Sequence, residues 1–220
     1  YRQLYNPHLY LLAYGNLYSN AGATTRGTTE ETVDGMSLAK IKRIITKLRE
    51  ERYRWKPVRR VNIPKKNGKQ RPLGIPTLSD RAMQALYLQA LEPVSEMQAD
   101  RNAYGFRPKR STADAIGHCF IVIAKSHSPQ WSHDGDIKAC YDRISHSWLE
   151  ANIPMDQTVL RKWLAAGYME GGTLYPTAMG TPQGGIASPT LANMTLDGLE
   201  AVAKSAAPKG QKVHVVKYAD

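Results

Sequence analysis

Apolar residues recur at helical spacing in several stretches of the chain. Leu38, Ile41, Ile45 and Leu48 repeat every three or four residues behind Ser37, which predicts a helix with one apolar face and Ser37 as its N-cap. The same spacing predicts further helices over 79–97, capped at Ser79 or Asp80 and interrupted near Pro93, and over 111–125, 156–167 and 188–207.

Other stretches alternate or run apolar in the manner of strands. Residues 59–76 alternate, turn at Asn67-Gly68 and alternate again, which predicts a β-hairpin. Short strands are also predicted in 133–142, 173–180 and 212–220. Because helices and strands mix without regular β-α alternation, the fold class predicted is α+β with an antiparallel sheet.

Composition excludes several classes of protein. A chain of 220 residues with 42% apolar residues can bury a core. No stretch approaches the roughly 18 uninterrupted apolar residues of a membrane span, and the first residues lack the features of a signal peptide. Cys119 and Cys140 are too few for a disulfide framework and lack zinc-site spacing, so no structural zinc is expected. We therefore expect a soluble protein of a reducing, cytoplasmic compartment, with an organellar origin left open.

Positive charge is concentrated in residues 40–71. This window holds fourteen Lys and Arg against Glu50 and Glu51, a net +12, whereas the whole chain carries +11. A block of one sign interleaved with Tyr53 and Trp55 is typical of a surface that binds a phosphate backbone. The alternative is a basic surface that only keeps the protein in solution.

Two aspartates accompany the apolar runs predicted as strands. Asp136 stands in DGDIKACYD and Asp220 ends VHVVKYAD. An unpaired buried carboxylate is unfavourable by several kcal/mol, and two carboxylates on neighbouring strands offer the oxygen ligands that suit Mg²⁺. The alternative is that each is an ordinary strand-end aspartate, paired with Lys138 or Arg143.

Ordered motifs along nearly the whole chain resemble the reverse transcriptases encoded by group II introns. In chain order they are NAGATTRGTTEETVDGMS, IPKKNGKQRPLGIPTLSDRAMQALYLQALEP, YGFRPKRSTADAI, DIKACYD, GTPQGGIASPTLANMTLDGLE and the final YAD. The resemblance implies the fingers-palm lobe of a right-hand polymerase, with an antiparallel palm sheet backed by helices and no thumb. It implies an N-terminal extension and fingers over 1–85, palm over 86–143, fingers over 144–187 and truncated palm over 188–220.

The resemblance also implies the catalytic residues. Asp136 and Asp220 would be metal ligands, together with the backbone carbonyl of Ile137, in a two-ion Mg²⁺ site. The family signature continues YADD, so the sequence looks like a fragment cut inside this motif, without its second aspartate. We expect such a fragment to be inactive or impaired.

The residues expected to bind an incoming nucleotide are inferred partly from their side-chain chemistry and partly from the resemblance. Lys65 and Arg71 flank the hairpin turn, where cations can neutralise a triphosphate; Lys69 is expected to be only a solvated turn residue. Tyr141 matches the family's aromatic gate against a ribose 2′-hydroxyl, or is a core aromatic. The Gln183 amide is suited to bonding near the sugar and base.

Candidate RNA contacts lie in the basic block and in YGFRP. The aromatic and guanidinium groups of YGFRP suit stacking on a template strand, although core packing is an equal alternative for Phe106. The predicted contacts are Lys40, Lys42, Arg43, Lys47, Arg59, Arg60, Tyr104, Phe106 and Arg107.

The function predicted is RNA-directed DNA polymerase of a group II intron, which also binds intron RNA to assist splicing and retrotransposition. The partners implied are intron RNA, an RNA template with a DNA primer, and dNTPs, with no membrane. One alternative is a non-catalytic RNA-binding module. Another is a reverse transcriptase of a different lineage, such as a retron or a diversity-generating element.

Overall fold

The computed structural model describes residues 6–19, 22–32, 37–49, 53–66 and 68–220, without the side chains of 44 and 47–49. The predicted turn residue Asn67 and the Lys47 side chain therefore lie outside the described residues. The helices are α1 (Pro7–Tyr18), α2 (Leu38–Arg49), α3 (Leu78–Gln98), α4 (Thr112–Ile123), α5 (Cys140–Arg143), α6 (His146–Asn152), α7 (Gln157–Leu164), α8 (Ser188–Leu196) and α9 (Leu199–Ala206). The strands are β1 (Val58–Pro64), β2 (Gln70–Ile75), β3 (Tyr168–Glu170) and β4 (Thr173–Tyr175).

The chain divides into two compact units, each built from two separate stretches. The first unit comprises Tyr1–Leu91 and Tyr141–Ser188, and the second comprises Glu92–Cys140 and Pro189–Asp220. The mixture of helices and a small sheet confirms the α+β class. None of the helices in the described part of the chain is long and apolar enough to cross a membrane.

A four-stranded sheet with the order β2-β1-β3-β4 lies in the first unit. The predicted hairpin is present as the antiparallel pair β1–β2, in which Ile63 pairs with Arg71. The sequence did not predict that β1 also pairs with β3, in parallel, through Val58 and Tyr168. Gly167 precedes β3 at φ +73° and accepts a 3.0 Å hydrogen bond from the Val58 amide, so the turn after α7 delivers β3 to β1.

Helix α3 is anchored in the first unit by a buried cap. The Thr77 hydroxyl donates to the Asp80 carboxylate at 2.6 Å, and the Asp80 amide donates back to that hydroxyl at 3.2 Å. The cap is therefore Thr77, and the prediction of Ser79 or Asp80 is wrong. Asp80 also accepts the Tyr53 hydroxyl at 2.8 Å. Burial raises the pKa of the Asp80 carboxyl, and these hydrogen bonds oppose the rise.

Two predicted helix boundaries are wrong for identifiable reasons. Helix α3 continues through Pro93 to Gln98, because a proline removes one backbone bond and the following turns stay bonded, as in the 2.9 Å bond from Ala99 to Ser95. The helix predicted over 188–207 is broken into α8 and α9 at Gly198, which adopts φ +94°. Asp100 accepts the Gly198 amide at 3.2 Å and so stabilises the break.

The strands predicted over 133–142 and 212–220 are absent in the second unit. Residues 131–139 are exposed and form no ladder, and the last segment contributes one parallel bridge, between Ala103 and Lys217. The backbone groups of Lys217 bond to Asn102 and Tyr104 rather than to the segment that carries Asp136. Both segments are apolar in the manner of strands, but their backbone groups do not form a ladder with each other.

Arg107 is a buried structural residue of the second unit. Its side chain is 5% exposed, and its guanidinium donates two 2.8 Å bonds to the Glu96 carboxylate. It also donates to the carbonyl oxygens of Asp100 and Ala103, both at 2.9 Å. These bonds occupy the guanidinium inside the unit, so Arg107 has a structural role there, and its RNA contact stays a prediction.

Replacement of Glu96 by Gln tests this ion pair. The Arg107 hydrogen bonds lower the pKa of Glu96, so its stabilising contribution is present above the unfolded value, near 4.3, and is lost as pH falls through the folded one. We expect Glu96→Gln to lower the free energy of unfolding by about 1 to 2 kcal/mol at neutral pH, discounted because the carboxylate is partly exposed. Urea denaturation at pH 7 and at about pH 3 measures the difference, which should shrink at the lower pH.

Glu150→Gln is the matched control. It breaks the 2.7 Å pair with Arg161, whose side chain is mostly exposed, so the loss should be at most about 1 kcal/mol. A Glu96→Gln protein as stable as wild type at neutral pH would contradict the assigned role.

Candidate catalytic carboxylates and basic surface

Asp136 and Asp220 both act on one thiol in the second unit. Cys140 is buried, and its pKa is raised first by burial and then by the charges of Asp220 and Asp136. The two carboxylates are therefore within electrostatic reach of the same sulfur, although 84 positions separate them in sequence. Both are exposed, and among the described residues neither makes an ion pair or a side-chain hydrogen bond.

The turn that carries Asp220 has an unusual backbone. Ala219 adopts φ +66°, a left-handed conformation that is unfavourable for a residue with a side chain. A Cβ placed on Gly105 would lie 2.2 Å from the Ala219 nitrogen. The turn thus packs directly on the backbone of Gly105, and only glycine fits there.

A second tight turn follows Asp136. The carbonyl of Ile137 accepts a 3.2 Å hydrogen bond from the Cys140 amide, and Ala139 between them adopts φ +56°. This turn leads directly into α5 and places Cys140 three residues after Ile137. The carbonyl predicted as a metal ligand is already engaged by one lone pair and retains the other.

The chemistry of these groups fits a hard divalent cation. Two unpaired carboxylates and a carbonyl are oxygen ligands of the kind Mg²⁺ prefers. Within the described ranges, no group of three or more His, Cys, Asp or Glu side chains is placed to hold a metal. The donor set therefore fits a divalent ion through two carboxylates, and the two-ion arrangement remains a prediction.

The hairpin tip lies in the first unit and presents its cations to solvent. The Lys65 amide donates to the Lys69 carbonyl at 2.7 Å, and Gly68, at φ +76°, donates to the Lys65 carbonyl at 3.0 Å. These bonds close the turn, and the side chains of Lys65 and Arg71 are exposed. The backbone is thus fixed while both cations stay accessible.

Tyr141 and Gln183 belong to a second set of contacts in the first unit. The Thr181 amide donates to the Tyr141 carbonyl at 2.8 Å, and the Gly74 amide donates to the Gln183 carbonyl at 2.7 Å. The TPQGG loop is therefore held between the start of α5 and strand β2. Gly184 in this loop adopts φ +108°, which brings it close to Gly74.

Gln183 also lines a cavity of about 300 Å³ in the first unit. Its walls include Trp55, stacked on Trp163 with ring centres 5.7 Å apart. Three lining side chains have a buried polar atom without a hydrogen-bond partner in the described part of the chain: Arg60 Nε, Trp163 Nε1 and Thr181 Oγ1. The wall of the cavity therefore contains polar atoms whose hydrogen-bonding capacity is unused within the described part of the chain.

The basic block is only partly available to a ligand. Lys42 on α2 is exposed, whereas Lys40 and Arg43 lie 3.5 and 4.0 Å from the carboxylate of Glu31. The Arg43 side chain is 61% exposed, so its pair contributes little, whereas the Lys40 side chain is only 19% exposed. The described side chains of α2 thus form a cationic surface, and Lys47 lies outside the description.

Arg59 and Arg60 are engaged within the first unit. Arg59 Nε donates to the Arg26 carbonyl at 2.9 Å. The Arg60 guanidinium carbon lies 3.9 Å from the centre of the Tyr168 ring, in a cation–π contact. Both keep charge near the sheet surface, but each has a structural partner that the sequence did not predict.

The YGFRP segment separates into two kinds of residue. Phe106 is 56% exposed at φ +58°, which leaves its ring on the surface. The Tyr104 hydroxyl lies 3.0 Å from His118 Nδ1, and Arg110 sits 5.5 Å above the Tyr104 ring. Phe106 is therefore available for stacking, Tyr104 is partly engaged, and Arg107 is buried as described above.

Sequence reasoning missed an ion pair beside the candidate catalytic turn. Lys217 Nζ lies 3.2 Å from Asp197 Oδ1, and the two side chains are only 6% and 11% exposed. The signal available in the sequence was a lysine within the apolar run that ends at Asp220. A buried lysine requires a compensating carboxylate, but the pattern does not say which one.

Comparison with known proteins gives the family. The model described as "Reverse transcriptase (RNA-dependent DNA polymerase)" matches residues 63–220. The group II intron-encoded protein LtrA of Lactococcus lactis subsp. cremoris is 42% identical over 207 residues, which cover 91% of this chain and 34% of that protein. Protein YkfC of Escherichia coli (strain K12) is 36% identical over 195 residues, covering 81% of this chain and 50% of that protein.

Two further likenesses agree. The uncharacterized 91 kDa protein in the cob intron of Schizosaccharomyces pombe is 38% identical over 203 residues, covering 90% of this chain and 25% of that protein. A solved structure titled "Cas6-RT-Cas1--Cas2 complex" aligns with a TM-score of 0.59 at 20% identity, over 99% of this chain and 23% of that one, and so shares the fold.

The chain spans from a quarter to a half of the length of these curated relatives. Its motifs, its α+β fold and the matched family model agree with one another. The chain belongs to the reverse transcriptase (RNA-dependent DNA polymerase) family and carries a domain homologous to group II intron-encoded proteins.

Proposed function

We propose that this chain is the fingers and palm portion of a group II intron reverse transcriptase. It copies an RNA template by extending a DNA primer with dNTPs, and it also binds intron RNA to assist splicing and retrotransposition. The observation that carries the proposal is the match of residues 63–220 to the reverse transcriptase family model, with Asp136 and Asp220 both in the second compact unit. In this assignment the first unit is the fingers and the second is the palm.

Asp136, Asp220 and the Ile137 carbonyl would hold Mg²⁺. When bound, Mg²⁺ activates the primer 3′-hydroxyl and stabilises charge on the phosphate. Because the turns at Ala139 and Ala219 fix the backbone on either side, the carboxylates are oriented before substrate arrives. Both carboxylates are exposed and so accessible to a nucleotide.

Lys65 and Arg71 would neutralise the triphosphate. Their side chains extend from a hairpin that two backbone bonds close between Lys65 and Lys69 and between Gly68 and Lys65, which limits the rearrangement needed to bind phosphate. Tyr141 is assigned to selection against the ribose 2′-hydroxyl and Gln183 to the sugar and base. The role proposed for Gln183 is supported by the position of its loop, which is fixed by the hydrogen bond from the Gly74 amide of strand β2 to the Gln183 carbonyl.

Non-catalytic RNA binding is a second candidate function, favoured by the cationic face of α2. The exposed side chains of Lys42 and Arg43 suit a phosphate backbone regardless of base sequence. This function is compatible with the first, because relatives that are two to four times longer have room for both.

Replacement of Asp136 by Asn tests the catalytic assignment. The amide keeps the shape but removes the charge that a cation requires, so extension of a DNA primer on an RNA template should fall by more than about a hundredfold. Affinity for the template should change less than about twofold, because phosphate contacts lie elsewhere. Primer extension and filter binding with the full protein measure the two effects.

Asp134→Asn is the matched control, since Asp134 is an exposed carboxylate two positions away. It should retain extension. An active Asp136→Asn enzyme would refute the role of this carboxylate, and equal losses in both variants would point to general disruption of the segment.

The RNA surface is tested by the double variant Lys42→Gln with Arg43→Gln. Each lost phosphate contact on single-stranded RNA should reduce the slope of log affinity against log salt by about 0.7. The expected reduction is therefore about 0.7 to 1.4, with weaker binding to all RNA sequences alike. The control changes Lys209 and Lys212, two exposed lysines of the second unit. Equal slopes for both double variants would remove α2 from the interface.

A further inference from the structure

Helix α8 and the residue that follows it contact the candidate catalytic turn and its neighbours. Asn193 Nδ2 on α8 donates to the Gly105 carbonyl at 2.9 Å, in a buried hydrogen bond. Asp197, the first residue after α8, accepts the Lys217 ammonium at 3.2 Å. The C-terminal end of α8 therefore holds both the segment under the turn and the segment that leads into it.

Backbone bonds complete this attachment. The Lys217 amide donates to the Asn102 carbonyl at 2.9 Å, and the Tyr104 amide donates to the Lys217 carbonyl at 2.8 Å. The Asn102 side chain donates to Glu200 at 2.8 Å, at the start of α9. Residues 102–105 therefore form a support that is bonded both to the end segment and to the α8–α9 region.

The Asp197–Lys217 pair is the charged element of the support. Both side chains are nearly buried, and Asp197 Oδ2 is buried without a hydrogen-bond partner in the described part of the chain. Among those residues Asp197 is the ion-pair partner of Lys217, which stands three positions before Asp220. Lys217 acts electrostatically on the same Cys140 thiol as Asp136 and Asp220, so without Asp197 its ammonium would be uncompensated in the region of those two carboxylates.

We infer that Asp197 is a positioning residue, which through its ion pair with Lys217 holds the Tyr218–Asp220 turn in place and keeps the lysine from pairing with Asp136 and Asp220. This inference rests on the proposed function for the role of those two carboxylates. Asp197 itself touches neither substrate nor metal. It fixes where the Asp220 carboxylate stands and preserves its charge for a cation.

Replacement of Asp197 by Asn in the full protein tests the inference. Loss of groups that orient metal ligands commonly costs 10- to 100-fold in metal affinity, so we expect Mn²⁺ to bind about tenfold more weakly. Free Mn²⁺ measured by electron paramagnetic resonance gives the binding constant without any reaction. The Mg²⁺ concentration for half-maximal primer extension should rise by a similar factor, and saturating Mg²⁺ should restore much of the rate. Amide exchange at Lys217 and Tyr104 should become faster.

Glu150→Gln is the control, because it breaks the Arg161 ion pair of the first unit and lies outside the proposed machinery. It should lower stability without changing Mn²⁺ affinity. Lys217→Arg, which keeps the charge and one donor to Asp197, should retain wild-type Mn²⁺ affinity within about threefold. An Asp197→Asn protein that melts earlier but binds Mn²⁺ as wild type does would overturn the inference and leave Asp197 a structural residue.

Two further variants keep the inference testable if Asp197→Asn does not fold. The pair Asp197→Leu with Lys217→Met removes both charges, which buried pairs commonly tolerate. It should fold yet bind Mn²⁺ more weakly than wild type, because the turn has lost its tether. Gly105→Ala disturbs the same turn without touching the ion pair, because the added Cβ would lie 2.2 Å from the Ala219 nitrogen and force the turn to move. It should also weaken Mn²⁺ binding.

The two hypotheses fail in distinguishable ways. A wild-type protein that neither binds Mn²⁺ nor extends a primer would refute the proposed function. A wild type that does both, together with Asp197→Asn and Gly105→Ala proteins of unchanged Mn²⁺ affinity, would refute only the positioning role.

Discussion

The contact between Gly105 and the Ala219 backbone is the constraint on which the candidate site depends. Asp220 directly follows Ala219, so the position of its carboxylate follows the path of this turn. At position 219 a left-handed residue is seated on a residue that has no side chain. The positive φ of Ala219 and the glycine at position 105 are each unfavourable for stability by themselves, but the close backbone contact requires both.

The same contact explains why the YGFRP motif contains residues of such different exposure. Gly105 receives the turn, Phe106 is turned outward by its positive φ, and Arg107 is drawn inward to Glu96. The spacing of aromatic and basic residues suggested a single RNA-binding surface. In the structure, the segment is primarily a support for the residues that lead to Asp220, with Phe106 as its exposed ring.

Local chemistry was readable from the sequence where partners are close in the chain. The hairpin around Gly68 and the cap at Ser37 involve residues a few positions apart, and the structure contains them. The parallel pairing of β1 with β3 was not readable, because three-residue strands leave almost no periodicity. The cap at Thr77 was missed because two better-ranked residues follow it directly.

At the candidate site, residue types were predictable and their partners were not. The motifs gave Asp136 and Asp220, but no pattern in the sequence links Lys217 to Asp197 or Arg107 to Glu96. Periodicity also predicted strands for the segments around both aspartates, since it reports which side chains are apolar and not where backbone bonds go. Pairing over long separations is decided by tertiary structure, which a single sequence does not encode in its local pattern.

The sheet of the first unit has a consequence for how the protein is made. Strand β1 finds its parallel partner 110 positions later, and the first stretch of the second unit is synthesised in between. At ribosomal rates this delay is roughly 5 to 20 seconds. For that time the nascent hairpin has an open edge of the kind that recruits other chains. Expression at low temperature with abundant chaperones should therefore raise the yield of folded protein, even if the finished fold is stable.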